Sequence, residues 1–111
     1  MLEGQLLIEF GDDKATKREA KDATIQRRFL AFHEENPHVY AELVRMAREA
    51  LPKAGGKLGI RMLWERLRWS MLQTHGDDFK LNDNFPSRYA RMMMDQEPDL
   101  AGVFELRGLR A

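Results

Sequence analysis

Residues 79–98 read FKLNDNFPSRYARMMMDQEP, and the fold turns on how this stretch is read. Residues 79–81 form a short strand-like run. The following NDNFP is a turn that opens a helix, because proline suits the first helical position and Asn and Asp suit the turn before it. The spacing predicts a helix over about 85–96, with Phe85, Tyr89, Met92 and Met93 facing a core and Pro98 ending it. Met92, Met93 and Met94 sweep about 200° of helix, so one of them, Met94, is expected at the surface or at an interface. Downstream, GVFELR (102–107) alternates in the manner of a strand. It is expected to pair with 79–81 as an antiparallel ribbon beside the helix.

Working back from that stretch, residues 59–74 carry the cleanest helical pattern in the chain. Ile60, Leu63, Trp64, Leu67 and Met71 recur at i, i+3, i+4, i+7 and i+11. The other side of this helix carries Arg61, Arg68 and Trp69. Before it, PKAGGKLG is a loop, because Pro and Gly-Gly interrupt regular structure. Two further helices are expected earlier. One starts near Thr24 with Ile25, Phe29 and Phe32 on one face. The next runs from Pro37 to about Leu51 with Asn36 as its N-cap. The first of the two must stop by Asn36, since a residue before proline is pushed out of the α region.

The expected fold is therefore mainly α, with four helices and a small two-stranded antiparallel ribbon, resembling a winged helix. The common winged form places a strand between its first and second helices, and this order does not. Residues 24–111 are read as a single helical domain and 1–23 as a flexible or weakly ordered segment. Within 1–10, Leu6, Ile8 and Phe10 alternate as in a short strand or a sticky tail. Residues 11–23 are charged with no large apolar residue, so the segment buries too little to fix itself, and it is read as a linker or as a frayed helix solvated all round, since Ala, Lys, Arg and Glu are good helix formers.

Composition narrows the function. The 111 residues hold 18 basic and 18 acidic side chains and no cysteine. Disulfides and thiolate metal sites are excluded, and a cytoplasmic protein with no membrane span is expected. The charge is uneven. Residues 53–75 carry five basic residues against Glu65, while 1–52 and 76–111 are each net −2. No motif argues for an enzyme or a cofactor. His33 and His38 are five apart across a proline, not at the i, i+4 spacing of a helical zinc site. His75, Asp77 and Asp78 read as a turn, and AGGKLG lacks the frame of a phosphate-binding loop.

Two uses of the surface stay open. A nucleic-acid reader, of duplex DNA, would hold phosphates with Arg61 and Arg68 and stack a base on Trp69. It would reach the groove with Ser87, Arg88 and Arg91 at a helix N-terminus, with Arg107 as a wing contact. Zero net charge and the nearby Asp83, Asp95, Glu97 and Asp99 weigh against this reading. A protein-interaction module, such as a phage factor that binds and inhibits a host protein, would use Met94 with Leu6, Ile8 and Phe10.

The segments FLAFHEENPHVY (29–40), GIRMLWERLRW (59–69), FKLNDNFPSRYAR (79–91) and EPDLAGVFELR (97–107) together resemble a group of small bacterial, phage and prophage proteins without an assigned activity. The resemblance covers roughly 25–107. It implies a cytoplasmic, phage-derived protein and carries over no functional residues.

Overall fold

The computed structural model of the chain describes residues 2–76 and 80–106, and side chains from residue 16 onward. Four α-helices follow one another: α1 (Leu2–Glu35), α2 (Pro37–Ala50), α3 (Ile60–His75) and α4 (Pro86–Gln96). Short 3-10 turns occupy Leu51–Ala54 and Pro98–Leu100. No described helix is long and apolar enough to cross a membrane.

The expected ribbon is absent, and with it the winged helix. Among the described residues there is no strand. Residues 80 and 81 have no regular secondary structure and join no ladder, and Phe79 lies outside the described residues. The C-terminal run instead reaches the loop before α3, where Leu58 and Phe104 form one isolated parallel bridge and the Leu58 amide donates to the Val103 carbonyl at 3.1 Å. The alternation of Val103 and Phe104 does not mark two faces of a strand, since both side chains are buried. They plug the end of a helical core, and three residues of backbone cannot build a sheet from that contact.

Helix α1 starts far earlier than Thr24 and takes in residues 2–10, so the alternation of Leu6, Ile8 and Phe10 belongs to helix and not to strand. Residues 11–23 lack Pro and are rich in Ala, Lys, Arg and Glu, which favour helix wherever nothing else competes. Residues 16–23 of this helix are exposed, and the first buried side chain among those described is Phe29. Its end is set by Pro37. Asn36 sits at φ −133°, and its side-chain amide donates to the Phe32 carbonyl at 3.0 Å. Asn36 therefore closes α1 and does not cap α2, which carries no side-chain cap. Pro37 opens α2 as expected.

The core lies where α1, α2, α3 and α4 meet. On α3 the buried residues are Ile60, Leu63, Trp64, Leu67 and Met71, the five picked out by spacing. Tyr89 of α4 is fully buried, with its ring 4.7 Å from Phe29 edge to face and 5.8 Å from Trp64. Aromatic pairs in this range add to the area they bury. Phe85 closes the cluster against Phe29 and Phe32. On α4, Tyr89, Ala90 and Met93 are buried, and Met92 and Met94 are half-buried against the same core.

Candidate interaction site

Three of the arginines singled out by sequence line two separate clefts. Arg61 shares a cleft of about 330 Å³ with Ser87, Ile60, Pro86, Leu106 and Glu105. Arg88 and Arg91 line a different cleft, of about 210 Å³, with Gln26, Phe29, Met92 and Asp95. Each cleft thus holds a carboxylate beside its cations. Two of the four arginines are also engaged in holding the fold. Arg68 pairs with Glu65 at 3.2 Å and with Asp83, and the Asp83 carboxylate accepts the Trp64 indole N–H at 3.2 Å. Arg88 pairs with Asp22 and donates to Gln26 Oε1 at 2.9 Å, with only 9% of its side chain exposed. Its role in the structure is to tie α1 to α4. Arg107 lies outside the described residues.

Of the acidic residues near α4, Asp83, Glu97 and Asp99 are likewise engaged. Arg48 of α2 bonds Asp99 at 2.9 Å and Glu97 at 2.8 Å, and Tyr40 donates to the other Glu97 oxygen at 2.8 Å. The Arg48 guanidinium holds the Asp99 carboxyl below its usual range, and Arg68 does the same for Asp83. Burial raises the Tyr40 and Tyr89 phenols well above theirs, with Glu97 adding to the effect at Tyr40. The Tyr89 hydroxyl and His33 Nδ1 are buried without a hydrogen-bond partner. Among the described residues no group of three His, Asp or Glu side chains is placed to hold a metal ion.

The most accessible apolar side chains among the described residues lie elsewhere, between α2 and α3. Trp69 is 61% exposed and Met62 48% exposed. They stand seven residues apart on α3, two turns along one side of the helix. They line a groove of about 550 Å³ with the buried Met46 and with Glu42, Arg45, Glu65, Arg66, Ser70 and Gln73. The groove runs on past Met62 and Arg66 into a second hollow of about 320 Å³ lined by Glu49, Ala50, Lys53 and Ala54.

Its charges are unevenly satisfied. Arg45 pairs with Glu42 and Glu49, and Arg68 takes Glu65. Arg66 and Lys53 have no carboxylate within ion-pair distance among the described residues. The groove is thus an apolar trough with a rim of both signs, Arg45, Lys53 and Arg66 against Glu42, Glu49 and Glu65, and Arg66 adds to the pull that Arg45 exerts on the Glu42 carboxyl.

Of the residues marked by sequence, only Trp69 belongs to this groove. Met62, Arg66 and Lys53 were missed. The available signal was Met62 lying off the buried stripe of α3 and seven before Trp69. Met94 is half-buried against the core. Leu6, Ile8 and Phe10 lie in the part of α1 described by backbone alone. No protein-family model, curated protein or solved structure matches the chain.

Proposed function

We propose that this protein is a protein-interaction module that takes up an apolar helical segment in the groove between α2 and α3. The observation that carries the reading is the exposure of Trp69 and Met62 on one side of α3, over a groove whose floor is Met46. An exposed tryptophan beside a trough has the composition of a binding hot spot, where aromatic side chains supply most of the energy. Helices seated in such grooves use apolar residues at i, i+3, i+4 and i+7. The 7-residue interval from Met62 to Trp69 spans about 10 Å, which suits an apolar pair of that spacing.

The division of the arginines speaks for the same reading. A duplex binder needs unpaired cations along one face. Here Arg68 and Arg88 are committed to Asp83 and Asp22, and Arg61 and Arg91 lie in different clefts, each beside a carboxylate.

The test is selection of displayed helical peptides on the wild-type chain and on Trp69→Ala, with duplex-DNA anisotropy at two salt concentrations alongside. The expected result is a set of peptides with paired apolar residues that bind wild type and lose binding on Trp69→Ala, and no DNA binding. Salt-sensitive DNA binding with no Trp69-dependent peptide would overturn the proposal.

A further inference from the structure

We propose that His38 and His75 bind a divalent transition metal ion, of the zinc, nickel and copper class, that joins the start of α2 to the end of α3. His38 is the second residue of α2 and His75 the last of α3. Their rings stack across the two helices, with centroids 6.4 Å apart and planes 26° apart. A metal ion bonds an imidazole nitrogen at about 2.0–2.1 Å, which places two rings on one ion with centroids about 5–6.5 Å apart. The observed separation lies at the wide end of that range. Both side chains are exposed, so a turn of the rings, and not a movement of either helix, brings a nitrogen of each to one ion.

A second observation concerns which nitrogen His75 offers. Thr74 Oγ1 lies 2.8 Å from His75 Nδ1 and 3.0 Å from the Ser70 carbonyl oxygen. A hydroxyl has one proton to give, and a carbonyl can only accept. The Thr74 proton therefore goes to Ser70, and the Thr74 oxygen accepts from Nδ1–H. This selects the neutral tautomer of His75 whose lone pair is on Nε2. Metal-bound histidines are held in the same manner, by a hydrogen bond from the ring nitrogen that does not bind the ion.

The ligand type selects the ion. Imidazole suits zinc, nickel and copper, whereas magnesium and calcium take oxygen ligands. Two histidines leave the other coordination positions to water, so the site exchanges its ion and is not a closed structural centre. Its ligands stand on different helices, so the ion binds the folded arrangement and stabilises it by mass action. The same two helices are the walls of the groove. Glu42, four residues after His38, and Gln73, two before His75, line its near end, and a bound ion braces the walls there. The site does not depend on what the groove takes up.

Thermal unfolding of the full chain, freed of metal with EDTA and dialysed, tests this with zinc chloride, nickel chloride and magnesium chloride. Zinc calorimetry gives the affinity directly. The proteins are wild type, His38→Gln, His75→Gln and Thr74→Val, and the metal-free melt of each shows that it is folded. Zinc and nickel are expected to raise the wild-type melting temperature, EDTA to reverse the rise, and magnesium to leave it unmoved. Each histidine variant is expected to abolish the rise. Thr74→Val is expected to weaken zinc binding about 10–100-fold. No rise with zinc or nickel would overturn the proposal. So would a rise that survives either histidine variant, because the ion would then sit elsewhere. Wild-type zinc affinity in Thr74→Val would overturn the role given to Thr74.

Discussion

Trp64 and Trp69 lie five residues apart on α3 and on opposite sides of it, the first fully buried and the second 61% exposed. The two indoles divide the labour of the helix. Trp64 packs against Tyr89 and donates to Asp83, while Trp69 has the α2–α3 groove beside it. Trp64→Ala is expected to cost about 3–5 kcal/mol in chemical denaturation. Trp69→Ala is expected to leave the melting temperature within error of wild type. Equal losses from the two would mean that α3 is rotated relative to this description.

Arg88 ties two helices together, so its removal is expected to act on structure first. Arg88→Ala takes away the pairing with Asp22 and the bond to Gln26. Because Asp22 is largely exposed, the loss is expected to be modest, about 0.2–1 kcal/mol. Hydrogen exchange is expected to quicken around residues 22–26 of α1 and not in α2 or α3. Unchanged protection in α1 would show that Arg88 does not hold it.

Tyr89 carries a hydroxyl that the core leaves without a partner. Burying an unpaired polar group is unfavourable by about 1–3 kcal/mol, so Tyr89→Phe is expected to be neutral or stabilising. The pH dependence follows from the same burial. A phenol whose folded pKa is raised contributes stability that is complete below the unfolded value, near 10, and is lost as pH rises through the folded value. Melting temperature is therefore expected to fall above about pH 10, and less steeply in Tyr89→Phe. A destabilised Tyr89→Phe would mean that the hydroxyl is engaged.

On the acid side the sign reverses. Asp83 and Asp99 are depressed by Arg68 and Arg48. Their contribution is complete above the unfolded carboxylate value of about 4 and is lost as pH falls through the lower, folded values. Asp99→Asn is expected to flatten the decline of melting temperature below pH 4. Superimposable pH profiles for wild type and Asp99→Asn would remove this pair from the account.

Much of the helical body was legible in the sequence, and the reasons are local. The stripe Ile60, Leu63, Trp64, Leu67 and Met71 is periodic, and Pro37 and Pro98 fix boundaries by sterics alone. The ribbon was misread because Val103 and Phe104 alternate with polar neighbours in too short a run to separate a strand from a buried plug. Asn36 has the composition of an N-cap, and only the geometry shows its amide turned back to Phe32. Residues 11–23 of α1 stayed open between linker and frayed helix because they carry no apolar stripe to mark a helix face, and the alternation of Leu6, Ile8 and Phe10 suggested a strand. The arginines misled for a related reason. Sequence gives their number and spacing but not the acids that face them across the fold, such as Asp22, 66 residues from Arg88. The groove needed Met62 and Trp69 to be placed beside α2, which no spacing within α3 reveals.

The central claim is that the α2–α3 groove is the binding face. The most direct measurement is the indole ¹H–¹⁵N spectrum of the full chain, titrated with the tightest-binding helical peptide selected on the wild-type chain and, separately, with duplex DNA at low salt. The account predicts that the peptide moves the Trp69 resonance and leaves Trp64 in place, and that DNA moves neither. A Trp69 resonance indifferent to the peptide, with DNA shifting the arginine side-chain resonances of Arg61, Arg88 and Arg91, would contradict it.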